Sequence, residues 1–249
     1  MKTSALGKKI NPRKKGLSLL DPIKRQKDNI KYGIDIWNVY DFMYLNHNKI
    51  PQLVVLEIVI PYESDLIIES KSLKLYLNEF YKKSFSNKEV LIKKIKSQLE
   101  LTIKHPIKIK VLKKFRPEPK YLDLNNTKLK KTKPNTIIKF NGFRSICPVT
   151  SQPDFANIYL YLDKSIDVGY LNKYLMSYKE HGGFHEKCID KIFIDLYSKL
   201  KPDHIEICGR FQRRGGIDIN PIRGTKKQIL FNNFINTLFM KSSMLLIRH

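Results

Sequence analysis

Ala156-Asn157-Ile158-Tyr159-Leu160-Tyr161-Leu162 decides the fold, because Tyr159 and Tyr161 alternate with Leu160 and Leu162 in the two-residue period of a strand. Residues 144–147 predict a second strand just before it. Two helical periods follow. Residues 171–178 predict the first helix, and residues 186–199 the second, with Ile189, Ile192, Phe193 and Leu196 on one stripe. Gly182-Gly183 breaks the chain between them. Two apolar runs, 205–211 and 217–222, complete an order of strand pair, helix pair, strand pair.

The same order occurs once before, without obvious sequence identity. Residues 34–45 and 53–62 are apolar, β-branched and aromatic runs separated by an Asn- and Lys-rich turn, as a hairpin requires. Leu73, Tyr76, Leu77 and Phe80 recur at helical spacing, and Leu91, Ile95 and Leu99 do so after a Ser86-x-x-Glu89 capping box. Residues 107–115 and 136–140 would supply the closing strands. The expected class is α+β, with a basic N-terminal tail at 1–30 and modules at 31–142 and 143–249. Sheets of this kind have open edges that must be paired or covered, so a homodimer is expected.

A chain of 249 residues holds one large domain or two small ones, with roughly 70% of its unfolded surface removable from water. No run of 18 apolar residues occurs, and the basic start has no long apolar stretch behind it, so neither a membrane span nor a secretory signal is expected and the location is cytoplasmic. Three widely spaced cysteines, Cys147, Cys188 and Cys208, suit reduced thiols better than a disulfide framework. The net charge of +24, from 47 basic and 23 acidic residues, points toward polyanions. Lysine outnumbers arginine, however, and isoleucine and asparagine are abundant, a bias that an A+T-rich genome produces by itself. Clustered aromatics and the known RNA-module signatures are missing, so nucleic-acid binding is not required. The lysine run at 128–133 reads as a solvated loop and the cluster at 8–15 as a mobile tail.

Cys147-Pro148-Val149-Thr150-Ser151-Gln152-Pro153-Asp154 puts a thiol and a carboxyl either side of a turn stiffened by two prolines. Thiol addition to an unsaturated carbon needs such a pair, because the new anion must be protonated as the bond forms. A buried cysteine beside a surface carboxylate also satisfies the octapeptide. Cys188 sits on the apolar stripe of a predicted helix, and Cys208 shares a strand face with Glu206; neither has a proton donor at fixed reach. His181, His185 and Cys188 have ligand-like spacing, but the glycine pair interrupts any helix that would align them and no second cluster exists, so no metal is expected. Gly-x-Gly-x-x-Gly is absent, which excludes a Rossmann dinucleotide site.

Four blocks in order carry a resemblance: Ile68-Glu69-Ser70-Lys71-Ser72-Leu73-Lys74-Leu75-Tyr76-Leu77-Asn78, then the Cys147 to Asp154 octapeptide with Phe155, then Phe184-His185-Glu186-Lys187-Cys188, then Arg213-Arg214-Gly215-Gly216-Ile217-Asp218-Ile219-Asn220-Pro221. They resemble the NADPH-dependent 7-cyano-7-deazaguanine reductases, the QueF family of the queuosine pathway, in its long two-module form. The resemblance implies two tandem tunnelling-fold (T-fold) modules, each an antiparallel sheet with a helix pair. It implies reduction of a nitrile to a primary amine with two NADPH, through a covalent thioimide on Cys147 with Asp154 as proton donor. Substrate contacts map onto Ile68, Glu69, Ser70, His185 and Glu186, where the Glu186 carboxylate would accept the two parallel N–H groups of the guanine edge. NADPH contacts map onto Ser70, Lys71, Arg214 and Gly215, with Lys74 a further candidate, and a nearby Arg144 or His185 would favour the thiolate.

Taken alone, Glu69 and Glu186 also read as helix-start carboxylates, and Arg213 to Gly216 as an exposed basic turn. The lysine-rich start and the basic stretch at 124–133 depart from the family pattern. Two other functions fit parts of the chain: a zinc-dependent, GTP-cyclohydrolase-like enzyme, and a non-enzymatic RNA-binding protein.

Overall fold

In the computed structural model, which describes residues 15–113, 118–227 and 230–231, the chain separates into two units. The first comprises Met1–Lys27, Trp37–Lys113 and Arg213–Asp218; the second comprises Asp28–Ile36, Lys114–Gln212 and Ile219–His249. Residues 8–14 of the basic cluster at 8–15 and the expected strand end at Phe115 lie outside the described residues.

The first unit is built from β1 (Pro22–Lys24), most of β2 (Tyr32–Leu45), β3 (Pro51–Pro61), β4 (Leu66–Ile68), α1 (Ser70–Asn78), α2 (Lys88–Ile103) and β5 (Lys108–Val111). β2 and β3 are hydrogen-bonded neighbours joined by a turn at 46–50, where Lys49 takes φ 61° and the Asn46 side chain accepts from the amides of Asn48 and Ile50. β5 pairs antiparallel with β3, and β1 with β4. Leu91, Ile95, Leu99 and Ile103 recur every four residues along α2 and all are buried, each contributing roughly 2 kcal/mol. Phe80, in a 3₁₀ turn after α1, meets Tyr76 at 5.3 Å and Phe42 of β2 at 5.9 Å. The cap of α2 is Asn87, whose side chain accepts from Val90 N, one residue beyond the predicted Ser86. Asn accepts from the second or third amide as well as Ser does, so the composition of 86–89 permits either start.

The second unit contains β6 (Leu122–Asp123), β7 (Thr136–Ile146), β8 (Pro153–Leu162), α3 (Val168–Met176), α4 (His185–Leu200), β9 (Ile205–Phe211) and most of β10 (Ile217–Gly224). β7, β8, β9 and β10 pair antiparallel in that order, and β6 runs parallel to β7. The expected strands at 136–140 and 144–147 are one strand. Its register with β8 shifts between Phe140 and Phe143, where Gly142 takes φ 79°, a conformation that costs glycine little and any other residue more. Read in sequence, this bulge resembles a break, which is why the chain appeared to divide there.

Helix α4 packs on β9 through a close approach at Gly209, where a Cβ would fall 2.6 Å from Ile189 Cδ1 and 2.9 Å from a ring carbon of Phe211. Arg223, fully buried, pairs with Asp35 at 2.8 Å and Asp190 at 2.6 Å. The lysines at 128–133 are exposed as expected, but Thr132 between them is buried: its amide donates to Ile166 O and its hydroxyl accepts from Ile166 N. The architecture is mixed α+β with predominantly antiparallel sheets. Among the described residues, no helix is long and apolar enough to cross a membrane.

Candidate active site

Two pairings assemble the chemistry-bearing residues of the second unit. In the first, Ser145 faces Asp154 and Ile146 faces Pro153 across β7 and β8, so Cys147 and Asp154 emerge at the same end of one hairpin. The intervening turn is closed by Cys147 N donating to Gln152 O and Ser151 N donating to Cys147 O, with Ser151 at φ 56°. In the second, Ile146 bridges Gly182: Ile146 N donates to His181 O at 2.8 Å, and Gly183 N donates to Ile146 O at 3.0 Å. This ties the start of α4, with His185 and Glu186, to the strand that ends at Cys147.

Asp154 is 5% exposed, and His185 Nε2 lies 3.3 Å from its Oδ2. The imidazole lies flat on Phe211, ring centroids 3.9 Å apart and planes 8° from parallel. Cys147 is half-buried, while Glu186 is 7% exposed and stands in the first turn of α4, where the helix dipole favours a carboxylate. Of the two cations considered for Cys147, Arg144 is engaged elsewhere: it pairs with Glu180 at 3.2 Å and donates to Lys179 O. Phe211 is a site neighbour that sequence reading missed; it appeared only as one more apolar residue at the end of a strand.

Cys188 lies close by, but its chemistry is different. Its side chain is fully buried, with Sγ 3.8 Å from Gly183 O, and burial, together with the nearby Asp154 and Glu186 charges, pushes the thiol up to about 12. At neutral pH it is a protonated, inert thiol. Cys208, on β9, is also completely buried.

The remaining predicted residues fall in the first unit. Ile68 is buried at the end of β4. Glu69 caps α1, its carboxylate accepting from Lys71 N at 2.9 Å and Ser72 N at 2.7 Å. Ser70 is exposed and Lys71 half-buried at the start of that helix. Lys74, one turn on, reaches Asp41 at 2.8 Å and donates to Gly215 O, which brings the exposed Arg214-Gly215 turn to the same helix. Gly215 and Gly216 take φ 53° and 83°, and a Cβ on Gly216 would fall 2.3 Å from the Asp41 carboxylate oxygens. Glycine adopts both conformations at little cost, and a side chain at 216 would have to displace the Asp41 carboxylate.

The family described as "Nitrile reductase, 7-cyano-7-deazaguanine-reductase N-term" matches residues 11–111, and that described as "QueF-like protein" matches 153–229. A protein of Buchnera aphidicola subsp. Schizaphis graminum named NADPH-dependent 7-cyano-7-deazaguanine reductase is 34% identical over 261 residues, covering 89% of this chain and 96% of its own. The chain belongs to this family. Proteins of the same name from Paraburkholderia phymatum and Coxiella burnetii are 34% and 32% identical, covering 83% and 81% of the chain and 87% and 80% of their own lengths. The two family matches leave residues 112–152, which include Cys147, uncovered.

Proposed function

We propose that the protein reduces 7-cyano-7-deazaguanine to 7-aminomethyl-7-deazaguanine with NADPH, in queuosine biosynthesis, through a covalent thioimide on Cys147. The observation that carries this reading is the convergence of Cys147, Asp154, His185 and Glu186 through the β7–β8 register and the Ile146–Gly182 bridge. A nitrile carbon is a poor hydride acceptor, since nothing in the ground state holds the charge that would develop on nitrogen. Asp154 takes the proton of the Cys147 thiol and delivers it to the nitrogen as the S–C bond forms, leaving a C=N bond that can be reduced. After the first reduction the C–S bond breaks, its electrons return to sulfur, and the resulting imine must stay enclosed until the second. Glu186 would accept the two parallel N–H groups of the purine edge in a fork, with His185 beside it; the family resemblance also assigns substrate contacts to Ile68, Glu69 and Ser70.

The donor set of the first unit fits a dinucleotide: the Ser70 hydroxyl and Lys71 ammonium open α1, and Lys74 holds the Arg214-Gly215 turn beside them. Two cations suit phosphate, and a glycine at φ 53° lets backbone approach closely. When bound, NADPH supplies the hydride for each reduction. The same reading carries two tunnelling-fold modules, a homodimer and a cytoplasmic location.

Intact mass spectrometry after mixing with the cyano compound in the absence of NADPH tests the route. An added mass of one substrate on the wild type, missing from Cys147→Ala, is expected. An unchanged mass in a preparation that oxidises NADPH in the presence of the nitrile overturns the covalent step.

A further inference from the structure

We infer that Phe211 is a positioning residue for the proton donor, its ring holding the His185 imidazole so that Nε2–H points at Asp154. This rests on the reading that Asp154 protonates the nitrile nitrogen. An imidazole can turn about its outer side-chain torsion in a broad, roughly two-fold well, so a single contact does not set its plane. Usually the second ring nitrogen is tied by a hydrogen bond that selects both orientation and tautomer. Here that device is missing: Nδ1 of His185 is buried and has no hydrogen-bond partner among the described residues. A buried Nδ1 with nothing to donate to leaves the proton on Nε2, 3.3 Å from Asp154 Oδ2.

What fixes the plane instead is the stack on Phe211, with centroids 3.9 Å apart and planes 8° from parallel. That ring is itself held. It is 1% exposed, closes β9 opposite Ala156 of β8, and meets the Phe143 ring edge-on at 6.2 Å and 89°. Its backbone is pinned where Gln212 N donates to Phe155 O at 2.8 Å, one residue from Asp154. A phenyl face offers neither donor nor acceptor, so it orients the imidazole without competing for its proton.

The test uses the full-length protein, with Phe211→Leu, His185→Ala and the double variant, following thioimide formation with the cyano compound without NADPH across pH. Phe211→Leu is expected to slow adduct formation about tenfold or more and to shift its pH profile, as a misplaced acid–base pair does. The double variant is expected to be no slower than His185→Ala, because Phe211 acts only through the histidine. Multiplying effects, or an unaltered rate in Phe211→Leu, would overturn the assignment. The ¹⁵N shifts of the His185 ring give an independent readout on the wild type alone: a predominant Nε2–H tautomer supports the inference, and a predominant Nδ1–H tautomer defeats it. Absence of any adduct in the wild type strikes the thioimide reading and leaves those shifts to decide the role of Phe211.

Discussion

Ile146 and Gly182 form a parallel bridge that joins the last residue of β7 to the glycine pair preceding α4. Through it the segment carrying His185 and Glu186 is held against the strand that leads into Cys147, although the two are about forty residues apart in the chain. Gly183→Pro removes the N–H that donates to Ile146 O and tests this connection. The lost hydrogen bond contributes about 1 kcal/mol and the new Cβ falls 3.2 Å from Cys188 Sγ, so the melting temperature should drop modestly. Adduct formation should nevertheless fall about tenfold or more, because the start of α4 loses its register with Cys147. Stopped-flow measurement beside a thermal melt separates the two effects.

Thiol reactivity should distinguish the neighbouring cysteines sharply. Cys188 titrates at about 12 because it is buried beside carboxylates, so at pH 8 its thiolate fraction is negligible. Cys147, half-buried at the end of a hairpin, is accessible. Brief iodoacetamide treatment followed by peptide mapping should label Cys147 and leave Cys188 unmodified, and Cys188→Ala should keep most of the activity. Equal loss of turnover in Cys188→Ala, with the fold intact, would move the nucleophile to that position.

Arg223 neutralises two fully buried carboxylates, those of Asp35 and Asp190. Replacing it with leucine leaves both charges without their partner, a loss of about 3–5 kcal/mol. The deficit should narrow as pH falls, because the stranded carboxyls then bind protons. Urea denaturation of Arg223→Leu at pH 5 and pH 8 measures both the size and the trend, and a pH-independent difference would be inconsistent with it.

Glu206 gives stability an opposite dependence on pH. Burial raises its carboxyl to about 7, in spite of the amides of Phe231 and Leu230 that donate to it. A folded value above the unfolded one means that the contribution is complete below about pH 4.3 and is lost as pH rises through 7. The loss amounts to at most about 4 kcal/mol. Melting temperatures of the wild type and Glu206→Gln, compared between pH 4.5 and 8, should diverge with the wild type falling more steeply; parallel curves would show that Glu206 does not titrate in this window.

Local periodicity determined most of the elements. The alternation at 156–162 and the four-residue stripe of α2 depend on neighbouring side chains sharing a face, and both appear in the structure where the sequence places them. The octapeptide likewise showed a thiol and a carboxyl near one turn, since prolines restrict a short segment whatever surrounds it. Cys188 was also legible as a core residue, from its place on an apolar stripe.

Only tertiary structure decided what depends on distant segments meeting. That β7 is one strand through Gly142 follows from its pairing with β8, because a bulge and a break look alike until the partner strand is present. That Arg144 is taken up by Glu180 is set by the 3₁₀ turn at 177–180 meeting β7, and that His185 meets both Asp154 and the flat face of Phe211 is set by how α4 seats on β9 over Gly209. Side-chain period reports which face a residue occupies; it does not report what has been packed against that face, and the site's geometry is made there.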